Sequence, residues 1–198
     1  MAAEEVRYPQ VTGTSRRHGF EPVAGPDARV LILGTLPGVA SLASGEYYAQ
    51  PRNAFWRIMG AVVGAEPTMP YANRRQRLID RRIALWDVCA HAVRPGSADA
   101  AIDVSSVEPN TIDDFLERHQ EVGLVCFNGA GAASLLQHHV LPTLAARAAG
   151  IPRATLPSTS PAYASMTVAD KTRIWHAALA AHIHCIQIDR DDSKTLIR

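Results

Sequence analysis

Four short strand-like runs, each closed by residues that break extended structure, constrain this chain more than any other feature of its sequence. Val30-Leu31-Ile32-Leu33 stops at Gly34. Ile83 to Val88 runs toward a loop at Arg94-Pro95-Gly96-Ser97. Val122 to Phe127 stops at Asn128-Gly129, and Arg153 to Leu156 stops at Pro157. Runs of this length, bounded by Gly, Pro and Asn, read as buried strands. The stretches between them carry helical spacing. Phe55, Ile58, Met59, Val62 and Val63 recur on one helical face after Asn53 and end at Gly64. A polar helix is expected from Asn73 to Arg82. Asn110 is expected to cap a helix reaching about His119, with Asp113 and Asp114 in its first turn. A helical stretch from Ala130 to about Ala149 is interrupted at Pro142. Thr167 caps a last helix through about Ala181, with Asp170 at its third position. Ile183 to Ile188 reads as an edge strand.

Buried strands alternating with helices mean an α/β fold: a three-layer α/β/α sandwich around a central, mostly parallel four-stranded sheet. At 198 residues one domain is expected. It is expected over 29–190, after an irregular lead-in at 1–28 and before a frayed tail at 191–198. In such folds the site lies where a strand ends and hands over to a polar loop. That directs attention to Arg29–Trp56, where the first strand breaks into a Gly-Pro turn and then an aromatic, polar segment.

Composition excludes several classes. The net charge of +1 is not that of a strongly basic nucleic-acid binder. No apolar run approaches the roughly 20 residues of a membrane span. The acidic start MAAEEVRYPQ does not read as a secretory leader, so a cytoplasmic protein is expected. Three dispersed cysteines, Cys89, Cys126 and Cys185, give neither a disulfide framework nor a zinc pattern and read as reduced thiols. Lys171 and Lys194 are the only lysines; every other basic residue is arginine. That bias suits bidentate phosphate contacts and equally a high-GC genome. The arginines at 74, 75, 77, 81 and 82 read as a solvated face or as a phosphate-facing one.

Several motifs have two readings. Gly129-Ala130-Gly131-Ala132-Ala133-Ser134 opens a helix after a strand, as a dinucleotide site does. Its third glycine is Ser134 and no acidic residue closes the next strand, so close helix–sheet packing is preferred. Ser158 and Ser160 lack the G-x-S-x-G elbow of a hydrolase. His138-His139 and His182-x-His184 lack a carboxylate partner and read as surface histidines rather than metal ligands.

GTLPG at 34–38, YYAQPRNAFW at 47–56, ALWDVCAHAVRPGSADAAI at 84–102 and LPSTSPA at 156–162 are individually common but together specific. In this combination the chain resembles the uracil-DNA glycosylase superfamily, most closely its hypoxanthine-DNA (deoxyinosine) glycosylase branch, over roughly Arg29 to Ala180. GTLPG stands where the family has its first motif, LPSTSPA where it has the loop that inserts at the minor groove. This sequence departs from the family at two positions. Leu36 replaces the usual Asp or Asn of the first motif, and Leu156 replaces the His or Asn that opens the second.

The resemblance implies a monofunctional glycosylase acting on DNA that contains deaminated bases, hypoxanthine, uracil or both. It would be monomeric, with no metal and no cofactor. The catalytic positions fall at Thr35, Leu36 and Asn53. With Leu36 apolar, the task of holding water shifts to Asn53; its other reading is a helix N-cap. Base contacts are expected from Tyr48, Asp87, Gly34, Pro37 and Phe55. Tyr48 would stack on the flipped base, or be a core tyrosine; Asp87 would read its edge, or cap a turn. Ser158, Thr159, Ser160, Pro161, Arg52 and Arg94 are the expected DNA contacts, with Pro161, Ala162 and Tyr163 as a wedge. No lysine lies in the four blocks, which speaks against Schiff-base chemistry. A damage-binding protein without catalysis and a nucleoside or nucleotide hydrolase on the same fold are the competing readings.

Overall fold

A computed structural model describes residues 16–183. The elements run β1 (Arg16–His18), β2 (Val30–Gly34), α1 (Val39–Ser44), α2 (Phe55–Val63), α3 (Tyr71–Asp80), β3 (Ile83–Asp87), β4 (Cys89–Val93), β5 (Glu108–Pro109), α4 (Ile112–Arg118), β6 (Leu124–Asn128), α5 (Ala130–His139), α6 (Ala146–Ala149), β7 (Arg153–Leu156) and α7 (Val168–Leu179). The central sheet has the order β3-β2-β6-β7, with every pairing parallel. All five residues of β2, of β3 and of β6 are buried, as expected of parallel strands covered on both faces.

Alternation along the strands sorts the core into two layers. Leu31, Leu33, Trp86 and Phe127 pack with Phe115 of α4 and Leu135 of α5. Val30, Ile32, Leu85 and Cys126 pack with Phe55 and Ile58 of α2, Leu78 of α3 and Trp175 of α7. Because the strands are parallel, their carboxyl ends fall on one side. Gly34 pairs with Asp87, and Asn128 pairs with Leu156. The polar ends of four strands thus meet at one edge of an apolar sheet.

The helices follow their local signals. Thr167 Oγ1 accepts the Asp170 N–H at 3.1 Å, and the Asp170 carboxylate accepts the Thr167 hydroxyl at 2.7 Å. The helical stretch after Gly129 breaks at Leu141–Thr143 and resumes at Ala146. Asn110 is not the cap of α4: that position is Thr111, and the Asn110 amide instead donates to the Asp87 carbonyl at 2.8 Å.

A second sheet, β1-β4-β5, was not legible. Arg16–His18, expected within an irregular lead-in, pairs antiparallel with Val93–His91. The chain leaves the central sheet at Val88 and re-pairs immediately, so one apolar run hides two strands. Cys89 and Cys126 are buried and reduced, and burial pushes both thiols up to about 12. Among the described residues no helix is long and apolar enough to cross a membrane. The edge strand expected at Ile183–Ile188 falls outside the described residues apart from Ile183.

Candidate active site

The first-motif turn is held from beneath. Arg94 is 2% exposed. Its Nη1 donates to the Leu36 carbonyl at 3.0 Å, and its Nη2 donates to the Pro37 carbonyl. Asp99 faces Arg94 Nη1 at 3.5 Å and accepts the Thr35 hydroxyl at 2.7 Å. The Ser97 hydroxyl accepts the Val39 N–H at 3.0 Å at the start of α1. Arg94 is therefore a buried brace and does not face the surface as a phosphate contact. Burial lowers its pKa, partly opposed by Asp99. Thr35 and Leu36 are also buried, so the position that usually carries a polar catalytic group shapes an apolar wall.

The segment after the turn carries the aromatic groups. Tyr47 is fixed through its main chain: its carbonyl accepts the Trp56 indole N–H at 2.8 Å, and its N–H donates to the Tyr71 hydroxyl at 3.0 Å. Tyr48 then takes the left-handed conformation, φ 55°, a strained choice for a bulky residue. The conformation turns its ring onto Phe55, with centroids 4.0 Å apart and planes at 21°. Phe55 is fully buried and forms no part of the pocket wall. It supports Tyr48 from behind and does not touch a base, which corrects its expected role. Asn53 Oδ1 accepts the Phe55 N–H at 3.0 Å. The cap position of α2 is Ala54, so Asn53 is not the N-cap; it bonds the first N–H of the helix from one residue before the cap, which leaves one lone pair of Oδ1 and the amide N–H groups to the pocket.

Asp87 lies at the floor, 3% exposed. Burial pushes its carboxyl up to about 7; Arg94 opposes the shift and Asp99 adds to it. Its Oδ2 has no hydrogen-bond partner, nor has the Tyr48 hydroxyl. Burial, and then the proximity of Asp87, raise the Tyr48 phenol pKa against an opposing influence of the nearby Asn128 side chain, so it stays protonated. A Cβ on Gly34 would meet Asp87 Oδ1 at 2.4 Å and the Tyr48 hydroxyl at 2.9 Å. Only glycine leaves this floor open.

The second-motif loop is clamped by Asn128, which ends β6. Its amide donates to Thr159 Oγ1 and its Oδ1 accepts the Thr159 N–H, both at 2.8 Å. The Thr159 carbonyl accepts the Ala54 N–H at 2.9 Å, joining this loop to the segment that holds Asn53. Gly129, at φ 96°, lets Ser158 approach closely; a Cβ there would lie 2.9 Å from Ser158 Cβ. Farther out, Lys171 Nζ donates to the Tyr163 carbonyl at 2.7 Å and lies 5.0 Å from the Tyr163 ring centroid. Tyr163 is 41% exposed.

These parts enclose a cavity of about 560 Å³, within the range of small-molecule sites. Its wall joins the 34–38 turn, Tyr48, Asn53, Asp87, Asp99, Asn128 and the 158–163 loop. Arg52 is exposed beside it and is not part of the wall. Sequence reasoning missed Asp99 and Asn128. Asn128 ends a strand at the sheet edge where sites form, which was a usable signal. Asp99 carried none, since the bond that brings it to the site, from the Thr35 hydroxyl, spans 64 positions. Among the described residues no His, Cys, Asp and Glu side chains gather into a group of three or more able to hold a metal.

A parallel sheet whose carboxyl edge bears a cleft with polar groups at its floor, flanked by a Gly-Pro turn and a hydroxyl-rich loop, defines an open α/β enzyme with its site at the strand ends. The sequence profile of the uracil DNA glycosylase superfamily matches residues 22–179. A hypoxanthine DNA glycosylase from Methanosarcina barkeri is 36% identical over 115 residues, 58% of this chain and 72% of that protein. One from Methanosarcina acetivorans is 36% identical over 117 residues, 59% and 73% of the two chains. A Methanosarcina acetivorans protein solved by solution NMR, named as a candidate uracil DNA glycosylase, superposes with a TM-score of 0.64 at 30% identity, covering 82% of this chain and 98% of that one. The chain belongs to the uracil DNA glycosylase superfamily, and as a member it is a DNA N-glycosylase.

Proposed function

We propose that this chain excises deaminated bases, hypoxanthine foremost and uracil alongside it, from DNA. The observation that carries the reading is Asp87, a nearly buried carboxyl at the floor of a base-sized cavity with one oxygen unpartnered. A carboxylate accepts the ring N–H that hypoxanthine and uracil present. It repels the bare ring nitrogen of adenine or cytosine. The curated relatives named for hypoxanthine support the choice of base.

The reaction is a hydrolysis. The base is extruded from the stack into the pocket. The bond between the sugar carbon and the base nitrogen breaks, and the bonding pair leaves with the base. Water adds to the sugar carbon, and its proton goes to the departing base through solvent. Asn53 holds that water with the lone pair of Oδ1 that Phe55 leaves unused. An amide is no base, so bond breaking runs ahead of water attack. Ser158, Thr159 and Ser160 meet the phosphates with hydroxyl and main-chain groups; Pro161 and Tyr163 fill the vacated stack. Arg52 is the surface cation placed to join them. No lysine lines the cavity, and Lys171 is committed to the Tyr163 carbonyl, so the product is an abasic site rather than a nicked strand. The protein acts as a monomer on this reading.

Labelled duplexes carrying one deoxyinosine, deoxyuridine or deoxyxanthosine test it. Alkali-dependent cleavage at the lesion is expected for deoxyinosine. Binding to the lesion without cleavage would instead make the chain a damage binder, and the absence of both cleavage and binding would overturn the DNA reading and leave the nucleoside or nucleotide hydrolase.

A further inference from the structure

Tyr48 was expected to meet a base with the face of its ring. The structure gives one face of that ring to Phe55 at 4.0 Å and aims the hydroxyl elsewhere. The Tyr48 hydroxyl and Asp87 are both buried and both lack a full set of partners. Both crowd the same point above Gly34, 2.4 Å and 2.9 Å from where its Cβ would stand. No hydrogen bond joins them. Buried polar atoms without partners cost a fold stability, and two of them side by side in a cavity wall form a receptor for an edge that satisfies both.

We propose that Tyr48 reads the flipped base through its hydroxyl, paired with Asp87, so that the two recognise a lactam edge: the phenol donates to the ring carbonyl and the carboxylate accepts from the adjacent ring N–H. The inference rests on the excision reading above and refines its substrate class. Burial keeps the phenol protonated, so it is a donor across the working pH range. An edge with the opposite order, a bare ring nitrogen beside an amino group, meets acceptor with acceptor and donor with donor. That is the edge of adenine and of cytosine. Deamination converts each into a lactam, so the pair detects the chemical change itself. Guanine and thymine already own such an edge; their amino and methyl groups must be refused elsewhere in the cavity.

Tyr48→Phe removes the hydroxyl and keeps the ring, its stacking on Phe55 and its backbone. Single-turnover cleavage and equilibrium binding are measured on duplexes containing hypoxanthine or unsubstituted purine, which lacks the 6-oxygen. The variant is expected to lose about ten- to hundred-fold in rate and affinity on hypoxanthine and to bind unsubstituted purine, whose bare ring nitrogen Asp87 already rejects, as weakly as the wild type does. Equal activity of variant and wild type on hypoxanthine would overturn the proposal. An equal loss on both bases would overturn it too, since that is the signature of a purely structural tyrosine. If the wild type cleaves neither duplex, the excision reading fails separately, and a binding loss confined to hypoxanthine still supports the pair.

Discussion

The two sides of the pocket are built on opposite rules. On the side of Thr35, side chains are tied to one another and to the main chain: Thr35 bonds Asp99, Asp99 faces Arg94, and Arg94 holds the Leu36 and Pro37 carbonyls, with its Nε alone unpartnered. On the side of Gly34, Asp87 Oδ2 and the Tyr48 hydroxyl are buried with no partner. One residue step along β2 separates the two, because successive side chains point to opposite faces of a strand. A satisfied network holds a shape. An unsatisfied pair is a vacancy for a ligand's polar edge. Burial alone does not tell support from recognition; the difference is that Arg94 spends two of its nitrogens on the main chain while Asp87 Oδ2 and the Tyr48 hydroxyl make no bond.

The sharpest way to break this comparison is to remove the support. Arg94→Met strips two buried carbonyls and Asp99 of their partner, and each buried acceptor left unsatisfied costs about 1–3 kcal/mol. A drop in urea midpoint with most activity gone is expected; an unchanged midpoint would mean that Arg94 is no brace. Asn53→Ala comes next. It should slow excision by about a hundredfold or more, lower stability by about 1 kcal/mol through the lost bond to the Phe55 N–H, and leave binding to lesion DNA nearly intact. Equal losses in rate and affinity would end its water-holding role.

The recognition side responds to pH. Asp87 titrates near 7 in the empty pocket, raised by burial and by Asp99 and lowered by Arg94. Its acceptor form is lost as pH falls through that value. Excision of hypoxanthine should therefore decline below about pH 7, and in Asp87→Asn the same limb should flatten. Stability moves the other way. The folded carboxyl has a raised pKa, so its contribution is full below the unfolded value near 4 and disappears as pH rises through about 7. Asp87→Asn should melt higher than the wild type at pH 8, by roughly 2–4 °C for each kcal/mol relieved, with the gap closing at pH 5. A variant less stable at pH 8 would show that the carboxylate has a partner there. The smallest effect is expected from Lys171→Met, which frees the Tyr163 carbonyl and should cost about 1 kcal/mol and a few-fold in DNA binding.

Much of this architecture was legible because it is local. β7 spans Arg153–Leu156 as read, and Thr167 caps α7 with Asp170 as read. The parallel sheet followed from strands alternating with helices. What was not legible depends on contacts across the fold. Cys89–Val93 is a strand only because Arg16–His18 comes to pair with it. Arg94 looked like any loop arginine; its 2% exposure reflects carbonyls nearly 60 positions away. Phe55 and Tyr48 share a segment, and nothing in their spacing says that one ring hides behind the other. Asn53 was read as a helix cap or a water holder; the cap is Ala54, and Asn53 bonds the Phe55 N–H from one residue earlier.

The bond between the Ala54 N–H and the Thr159 carbonyl ties two loops more than a hundred positions apart. One is the part that would press into the duplex; the other carries the amide that would hold the attacking water. A main-chain link has little slack, so a push on the first is delivered to the second. On the proposed reading a loose nucleoside, which cannot press on the 158–163 loop, is expected to be a poorer substrate than the same base in DNA.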